Sequence, residues 1–190
     1  MDDIVRQAMA KWPHVPDCFG WLALDSRGQW LMRDDRVQQA GTFQSGHAGS
    51  KGSVLKHEKL IEFIHRNYDH DEQGRWFFQN GPQRVYVELE AAPFVWRLNE
   101  QFEPTAQTGQ ITQALACWVD ETGRVYLQTP LGLGLVHTLD VVFVAQAVEQ
   151  GLWTPEDCLA RDLPQRFGFV ISPQPVSYTH LRAHETLMKL

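Results

Sequence analysis

The chain has 190 residues, with 17 basic and 23 acidic side chains and a net charge of −6 when the histidines are neutral. This balance argues against nucleic-acid binding, which needs a clustered positive surface to contact phosphates. No apolar run approaches the roughly 20 residues of a membrane-spanning helix, so a membrane partner is not expected. The length suits one compact domain or two small domains packed together.

The three cysteines are Cys18, Cys117 and Cys158, which lie far apart and form no CxxC motif. The opening residues, MDDIVRQAMAKW, are charged and lack the apolar core of a signal peptide. Both features indicate a cytoplasmic protein with reduced thiols. We expect each cysteine to be a small buried hydrophobic residue rather than a nucleophile.

The first predicted segment, residues 1–41, contains one helix and one hairpin. Apolar residues recur at helical spacing from Asp2 to Trp12, and Pro13 ends the helix. Two short apolar runs then flank Asp25–Gly28, where the glycine suits the left-handed position of a tight turn. This pattern predicts an N-terminal helix followed by a β-hairpin.

The second predicted segment, residues 54–103, follows a stretch of small polar residues, Thr42–Ser53, that we expect to be a mobile linker. Ser53 is the expected N-cap of a helix that reaches about Tyr68. A hairpin follows, with its turn at Asn80-Gly81. Apolar and polar residues alternate in its second strand, which predicts one buried face and one solvated face.

The third predicted segment, residues 111–175, begins with a hairpin around Asp120–Gly123. A helix is predicted from about Leu139 to Gln150, where Gly151 suits the position after a helix end. Thr154 then caps a further short helix. The predicted fold class is α+β, with antiparallel β-hairpins and amphipathic helices.

An internal repeat is visible in three stretches that share the pattern Asp-x-x-Gly-x followed by an aromatic or β-branched residue. They are Asp25–Trp30, Asp71–Trp76 and Asp120–Val125. The first two predicted hairpins follow an amphipathic helix, and the third precedes one. The sequence therefore predicts internally repeated helix-plus-hairpin units.

Motifs for nucleophilic catalysis and for binding nucleotide phosphates are absent, and no cofactor is predicted. The strand after Asn80 places Arg84, Glu88 and Glu90 on one side, either as solvated ion pairs or as an acid pair beside a cation. Aromatic residues near the hairpins form either ordinary core or the wall of a ligand groove. The candidate ligand-binding residues are Asn80, Arg84, Glu88, Trp76 and Trp96.

These features favour a non-catalytic binding or regulatory module, with a protein, a small molecule or a second copy in a homodimer as the partner. The alternative is an enzyme that acts on a small polar substrate through Arg84 and either Glu88 or Glu90. A pocket that encloses these three side chains would favour the enzyme. An open sheet face would remove the only candidate catalytic site.

Two long stretches, MAKWPHVPDCFGWLALDSRGQWLMRD and GRWFFQNGPQRVYVELEAAPFVWRL, resemble a conserved proteobacterial family of unknown function. The resemblance covers residues 1–175. More loosely, GQWLM, LIEFIHRNY, DEQGRWFF and VELEAAPFV are similar to a second uncharacterised bacterial family of repeated α/β motifs, for which a signalling role has been suggested. The resemblance implies a bacterial origin and a repeated fold, and it brings no catalytic residue.

Residues 176–186, VSYTHLRAHET, are similar to one reading frame of a transposase-type sequencing adaptor. We therefore expect residues 176–190 to be a non-native tail. The tail contains His180 and His184 at helical spacing next to Glu185, a cluster typical of zinc sites. Because the tail is expected to be foreign, we predict no metal site.

We expect deletion of residues 176–190 to leave the melting temperature unchanged or slightly higher, because an adaptor sequence has not been selected to complement the core. Melting curves of chains 1–175 and 1–190, each with and without zinc, test this expectation. A large loss of stability on deletion, or a zinc-dependent rise restricted to the longer chain, would contradict it.

Overall fold

The computed structural model describes residues 1–175 and contains, within that range, two six-stranded β-sheets and five α-helices. In chain order the helices are α1 (Asp3–Lys11), α2 (Asp35–Ala40), α3 (Glu58–Arg66), α4 (Val141–Glu149) and α5 (Leu163–Phe167). The strands are β1 (Cys18–Leu24), β2 (Trp30–Met32), β3 (Ser53–Val54), β4 (Tyr68–His70), β5 (Trp76–Asn80), β6 (Gln83–Leu89), β7 (Phe94–Leu98), β8 (Pro104–Ala106), β9 (Ala116–Val119), β10 (Val125–Thr129), β11 (Gly132–Val136) and β12 (Glu156–Asp157). The predicted α+β fold class is confirmed.

The strand order is β3-β2-β1-β6-β5-β4 in the first sheet and β12-β9-β10-β11-β7-β8 in the second. Strands joined by tight turns pair antiparallel, as the hairpin patterns predict. Three strand pairs run parallel instead, namely β1 with β6, β7 with β11 and β9 with β12. Each parallel pair joins strands that are far apart in the sequence, and a turn motif does not specify such a pairing. Both sheets are therefore mixed.

The two sheets repeat one arrangement of hairpin and meander. In the first sheet the hairpin β1–β2 lies beside the three-stranded meander β4–β6, and in the second sheet the hairpin β7–β8 lies beside the meander β9–β11. In both, the first strand of the hairpin pairs in parallel with the last strand of the meander. Helix α3 precedes the meander of the first unit. The fold thus repeats as two similar sheets, and the three Asp-x-x-Gly stretches are divided unequally between them, with Asp25 and Asp71 in the first sheet and Asp120 in the second.

The sequence segments 1–41 and 54–103 share the first sheet, because β1 lies between β2 and β6. Strand β7 also comes from segment 54–103 but lies in the second sheet, beside β8 and β11. Strand β8 lies between the predicted segments, and β9 to β12 come from segment 111–175. Each sheet therefore combines strands from distant parts of the chain.

Three hairpin turns share one hydrogen-bonding pattern, and they begin at Asp25, Asp71 and Asp120. In each turn the aspartate Oδ1 accepts the backbone N–H groups of the residues two and four positions later. The residue three positions later is a glycine with φ of 79°, 77° and 84°, respectively. The backbone of that glycine is left-handed, which only glycine adopts without a steric cost. The Asp-x-x-Gly pattern therefore marks these turns correctly.

A single apolar core includes residues of both sheets, and Trp96 is its largest fully buried side chain. The indole Nε1 of Trp96 donates to the carbonyl of Leu127 at 3.1 Å, and the ring stacks on Phe94 with centroids 5.2 Å apart. Gly134 makes room for the indole, since a Cβ at this position would lie 2.3 Å from Nε1. Packing against Trp96 therefore requires glycine at position 134.

Arg33 follows β2 directly and is buried, with 2% of its surface exposed. Its guanidinium donates to three backbone carbonyls, from Nε to Ser50 at 3.1 Å, from Nη1 to Gly20 at 3.0 Å and from Nη2 to Gly41 at 2.8 Å. Residues 42–53, which the sequence predicts as a mobile linker, are therefore held against the first sheet. The prediction failed because the composition of this stretch does not reveal a buried arginine that binds its backbone.

The helix predicted to start after Ser53 begins later. Ser53 lies in β3 and pairs with Met32, and α3 starts at Glu58. The imidazole Nδ1 of His57 accepts the N–H of Leu60 at 3.2 Å and so takes the capping role that serine was expected to have.

Asp140 lies at the start of α4 and binds β7. Its carboxylate accepts Arg97 Nε at 2.6 Å, Arg97 Nη2 at 3.3 Å and the N–H of Leu98 at 2.9 Å. Burial tends to raise the pKa of Asp140, but the bonds from Arg97 and Leu98 outweigh burial and hold the pKa below its usual value. The ionised carboxylate therefore attaches the N-terminus of α4 to the second sheet.

Replacing Arg33 with lysine tests the role of its three hydrogen bonds. Lysine keeps the positive charge but lacks the planar guanidinium group with its several N–H donors. At least one buried carbonyl therefore loses its hydrogen-bond donor. We expect Arg33→Lys to lower the free energy of unfolding by about 2–4 kcal/mol, measured by urea denaturation. The exposed Arg36 provides the control, because Arg36→Lys should change stability by less than about 0.5 kcal/mol. Equal effects of the two substitutions would contradict the role assigned to Arg33.

The lowered pKa of Asp140 predicts a pH dependence. A carboxylate whose pKa is lower in the folded state stabilises the fold above its unfolded pKa of about 3.9, and this contribution is lost as the pH falls through the folded pKa. We expect Asp140→Asn to lower the unfolding free energy by about 1–3 kcal/mol at pH 7 and by less near pH 3. Urea unfolding of both proteins at the two pH values measures the difference. A loss of the same size at both would show that ionisation of Asp140 does not contribute.

Candidate functional site

The outer face of the first sheet is the face that carries Phe77, Tyr86 and Glu88, opposite to the main core. The sequence predicts that this side of β6 is solvated, but Tyr86 and Glu88 are both buried, with 1% and 5% of their surface exposed. Gln44, in the segment held by Arg33, donates Nε2 to Glu88 Oε2 at 3.2 Å and to the carbonyl of Leu89 at 3.0 Å. The solvated-face prediction is therefore wrong for Tyr86 and Glu88, and this loop covers the part of the face that carries Glu88.

The two candidate acids of β6 and its end lie in different surroundings. Glu88 is bonded to Gln44, whereas Glu90 accepts the N–H of Ser26 at 2.5 Å and lies 3.5 Å from Lys51 Nζ. Burial tends to raise the pKa of Glu90, but the Ser26 N–H and the Lys51 charge lower it below its usual value. The structure does not enclose the two acids in one pocket with Arg84.

Arg84 lies instead at the other end of β6, on a series of stacked rings. Its guanidinium carbon lies 4.3 Å from the ring centroid of Phe77, which contacts Tyr86 edge-on at 5.7 Å. Tyr86 stacks face to face on Phe19 at 4.8 Å, and Arg75 lies 4.6 Å from the Tyr86 centroid. The buried rings thus fix the positions of two guanidinium groups on this part of the outer face.

Arg75 is fully engaged by its neighbours. It donates Nε to Asp71 Oδ2 at 2.8 Å, Nη1 to the carbonyl of Gln174 at 3.0 Å and Nη2 to the Tyr86 hydroxyl at 3.2 Å. The Tyr86 hydroxyl in turn donates to Asp71 Oδ2 at 3.0 Å. Burial raises the pKa of Tyr86, while the Arg75 bonds, together with the Tyr86 hydroxyl, outweigh burial and lower the pKa of Asp71. This network has a structural role. It leaves Asp71 ionised, with its acceptor positions occupied by hydrogen-bond donors of the protein.

Arg84 differs from Arg75 because it forms no ion pair within residues 1–175. It lines a cleft of about 410 Å³ on the outer face, which we call the arginine cleft. The other lining residues are His70, Asp71, Glu72, Gln73 and Arg75. The arginine cleft therefore offers one guanidinium whose charge is not neutralised by a protein carboxylate.

The other predicted site residues are not gathered around Arg84. Asn80 is exposed at the end of β5, and Trp96 is completely buried in the core. Trp76 is buried beside Phe94 and His70, at ring distances of 5.0 Å and 4.8 Å. Of the five candidates, only Arg84 lines the arginine cleft.

Sequence reasoning missed a second and larger cleft, of about 720 Å³, beside the edge strand β8. We call it the aromatic cleft, because Phe102 and Trp153 meet there edge-on with centroids 6.1 Å apart. Further lining residues are Glu103, Ile111, Gln113 and Leu152. Ile111 and Leu152 are more than half exposed, which is unusual for large aliphatic side chains.

Phe102 has a left-handed backbone, with φ of 60°, and no other non-glycine residue within positions 1–175 has a positive φ. It lies in the turn Asn99–Glu103, where Asn99 Oδ1 accepts the N–H groups of Gln101 and Glu103, both at 3.0 Å. This turn is equivalent to Asp25–Gln29 in the first unit, and Phe102 takes the place of Gly28. A left-handed residue with a side chain costs roughly 1–2 kcal/mol. The Asp-x-x-Gly pattern missed this turn because neither its aspartate nor its glycine is present.

The structure bears on two further kinds of feature, clusters of metal ligands and membrane-spanning helices, within the part of the chain that it describes. Within residues 1–175 no three His, Cys, Asp or Glu side chains are grouped closely enough to hold a metal ion. Over the same range no helix has the length and apolar character needed to cross a bilayer. The cluster His180, His184 and Glu185 lies outside the described residues.

Comparison with solved structures gives two DUF1285 family proteins. The crystal structure from Silicibacter pomeroyi DSS-3 matches with a TM-score of 0.46 and 12% identity, covering 69% of this chain and 70% of that chain. The one from Shewanella baltica OS155 matches with a TM-score of 0.41 and 14% identity, covering 70% of this chain and 97% of that chain. Both likenesses are too distant to assign a function.

Sequence comparison gives the family. No curated protein matches the chain significantly. A family described as "Protein of unknown function (DUF2946)" matches residues 1–174, which is almost the whole of the described chain. The predicted membership in a family of unknown function is confirmed, and the chain belongs to this DUF2946 family.

Proposed function

We propose that this protein is a non-catalytic binding or regulatory module that recognises a small carboxylate ligand in the arginine cleft. The observation that carries the proposal is the position of Arg84, whose guanidinium lies on the buried Phe77 ring without an ion pair in residues 1–175. A guanidinium binds a carboxylate through two parallel hydrogen bonds, which gives both strength and orientation. The contact with the Phe77 ring fixes the position of the Arg84 guanidinium before a carboxylate binds.

A carboxylate suits this cleft better than a phosphate. Asp71 and Glu72 line the same cleft, and the chain has a net charge of −6. Arg75 and Asp71 neutralise each other, so Arg84 and Glu72 remain as one positive and one negative charge. Glu72 repels any anion, but it repels a phosphate with nearly two negative charges more strongly than a carboxylate with one, and Arg84 alone balances the single charge of the carboxylate.

The arrangement favours binding over catalysis. The enzyme alternative required Arg84 together with Glu88 or Glu90, and those acids are bonded to Gln44 and to Ser26 instead. In the arginine cleft each oxygen of Asp71 already accepts two hydrogen bonds, one of them from the Tyr86 hydroxyl. Neither group is free to exchange a proton with a ligand.

We propose a cytoplasmic location for this activity. All three cysteines are free, and the structure places none of them in a disulfide. Burial raises the pKa of the Cys117 thiol to about 11, which keeps it protonated and unreactive. Free, unreactive thiols are typical of proteins in a reducing compartment.

Titration with propanoate, followed by backbone amide NMR shifts, tests the proposal. We expect propanoate to shift the resonances of residues 70–75 and 84 with a Kd on the order of 1 mM. Arg84→Gln should weaken binding about tenfold or more, because one charge-assisted hydrogen-bond pair is lost. Arg84→Lys should give an intermediate affinity, because lysine keeps the positive charge but lacks the two parallel N–H donors of the guanidinium.

Two matched controls make the test specific. Propanamide has the shape of propanoate without its charge and should not bind measurably. Arg36→Gln removes an exposed arginine on α2 and should leave propanoate binding unchanged. Equal binding of propanamide, tighter binding of inorganic phosphate, or unchanged binding by the Arg84→Gln protein would each refute the proposal.

A further inference from the structure

The fold alone does not require the phenylalanine at position 102 of the aromatic cleft. The first sheet makes the equivalent turn with Gly28, so the backbone of this turn does not need a phenylalanine. Phe102 accepts a strained backbone, yet its ring is not in the apolar core. The ring contacts Trp153, which lies two residues after the left-handed Gly151 that follows α4. Residues in strained conformations are concentrated at binding sites, where the gain in function offsets the strain.

The charge of the cleft selects the ligand. Glu103 is the only ionisable residue among those that line the aromatic cleft in residues 1–175. Its Oε1 accepts a hydrogen bond from Asn99 Nδ2 at 3.1 Å, which restricts the carboxylate. No lysine, arginine or histidine lines the cleft. Two aromatic rings beside one carboxylate suit a cation, because the ring faces and the carboxylate both attract positive charge.

The size of the cleft favours a small molecule. Its volume of about 720 Å³ lies within the range of about 300–1,000 Å³ that is usual for small-ligand sites. Thr112 and Gln113 add polar groups along one wall, and Ile111 and Leu152 add apolar surface at the rim. A ligand with both alkyl groups and a positive charge would contact all of these.

We infer that the aromatic cleft binds a small organic ammonium ion, which lies in the cleft against the Phe102 and Trp153 rings and is neutralised by Glu103. This site is separate from the arginine cleft, and the two share no lining residue. It adds a second ligand class, of opposite charge, to the proposed binding function.

Choline and 3,3-dimethylbutan-1-ol form a matched pair of probes, because they have the same shape and differ by one positive charge. Each is titrated into the full chain, and the Trp153 indole resonance, identified through Trp153→Phe, is followed by NMR. We expect choline to shift this resonance and the alcohol to bind about 3- to 30-fold more weakly. Glu103→Gln should reduce the choline affinity toward that of the alcohol, whereas the neighbouring exposed Glu100→Gln should have no effect.

Phe102→Gly separates binding from folding. It restores the residue that the equivalent turn uses, so the melting temperature should stay within a few degrees of the original, while choline binding is lost. Choline binding that survives Phe102→Gly, or equal binding of choline and the alcohol, would overturn the inference. So would a fall in melting temperature of about 10 °C or more on Phe102→Gly, which would make the ring structural. Binding of a lysine-rich peptide without binding of choline would also overturn it, in favour of a protein partner.

Discussion

A buried cation bound by backbone carbonyls determines how the outer face of the first sheet is covered. The guanidinium of Arg33 joins β1, the end of α2 and the 42–53 loop through one hydrogen bond to each. Burial lowers the pKa of Arg33, and the negative charge of Glu88 partly offsets that effect. Since an unpaired buried carbonyl costs about 1–3 kcal/mol, the loop has little freedom to lie elsewhere. A segment rich in glycine and serine is thereby ordered against this face.

This cover divides strand β6 into two parts with different chemistry. Strand periodicity puts Arg84, Tyr86 and Glu88 on the same side. The loop covers Glu88 through Gln44, but it does not reach Arg84. The same alternation therefore yields a buried acid bonded to Gln44 at one end and an accessible cation at the other. Which charged residue remains available to a ligand depends on a loop from another part of the chain.

Local features of the fold were predictable from the sequence, and long-range ones were not. The Asp-x-x-Gly turns and their hairpins depend on bonds within five residues, so the pattern at Asp25, Asp71 and Asp120 identifies them. The parallel strand pairs, and the three hydrogen bonds from Arg33 to backbone carbonyls, join residues from different parts of the chain. No local sequence pattern indicates them. Among the candidate site residues, Arg84 was predictable from strand alternation. Phe102 was not, because an aromatic residue at a left-handed position contradicts the usual turn preference.

The parallel strand pairs also affect how the chain folds. In the first sheet Leu22 pairs with Val87, 65 positions along the chain, and in the second Val95 pairs with Leu135, 40 positions along it. Loop-closure entropy grows only with the logarithm of length, so the two closures differ by about 0.4 kcal/mol. Neither sheet has a large entropic advantage, and side chains from both form one core. The two sheets are therefore expected to form together, in a single cooperative transition, rather than as independent folding units.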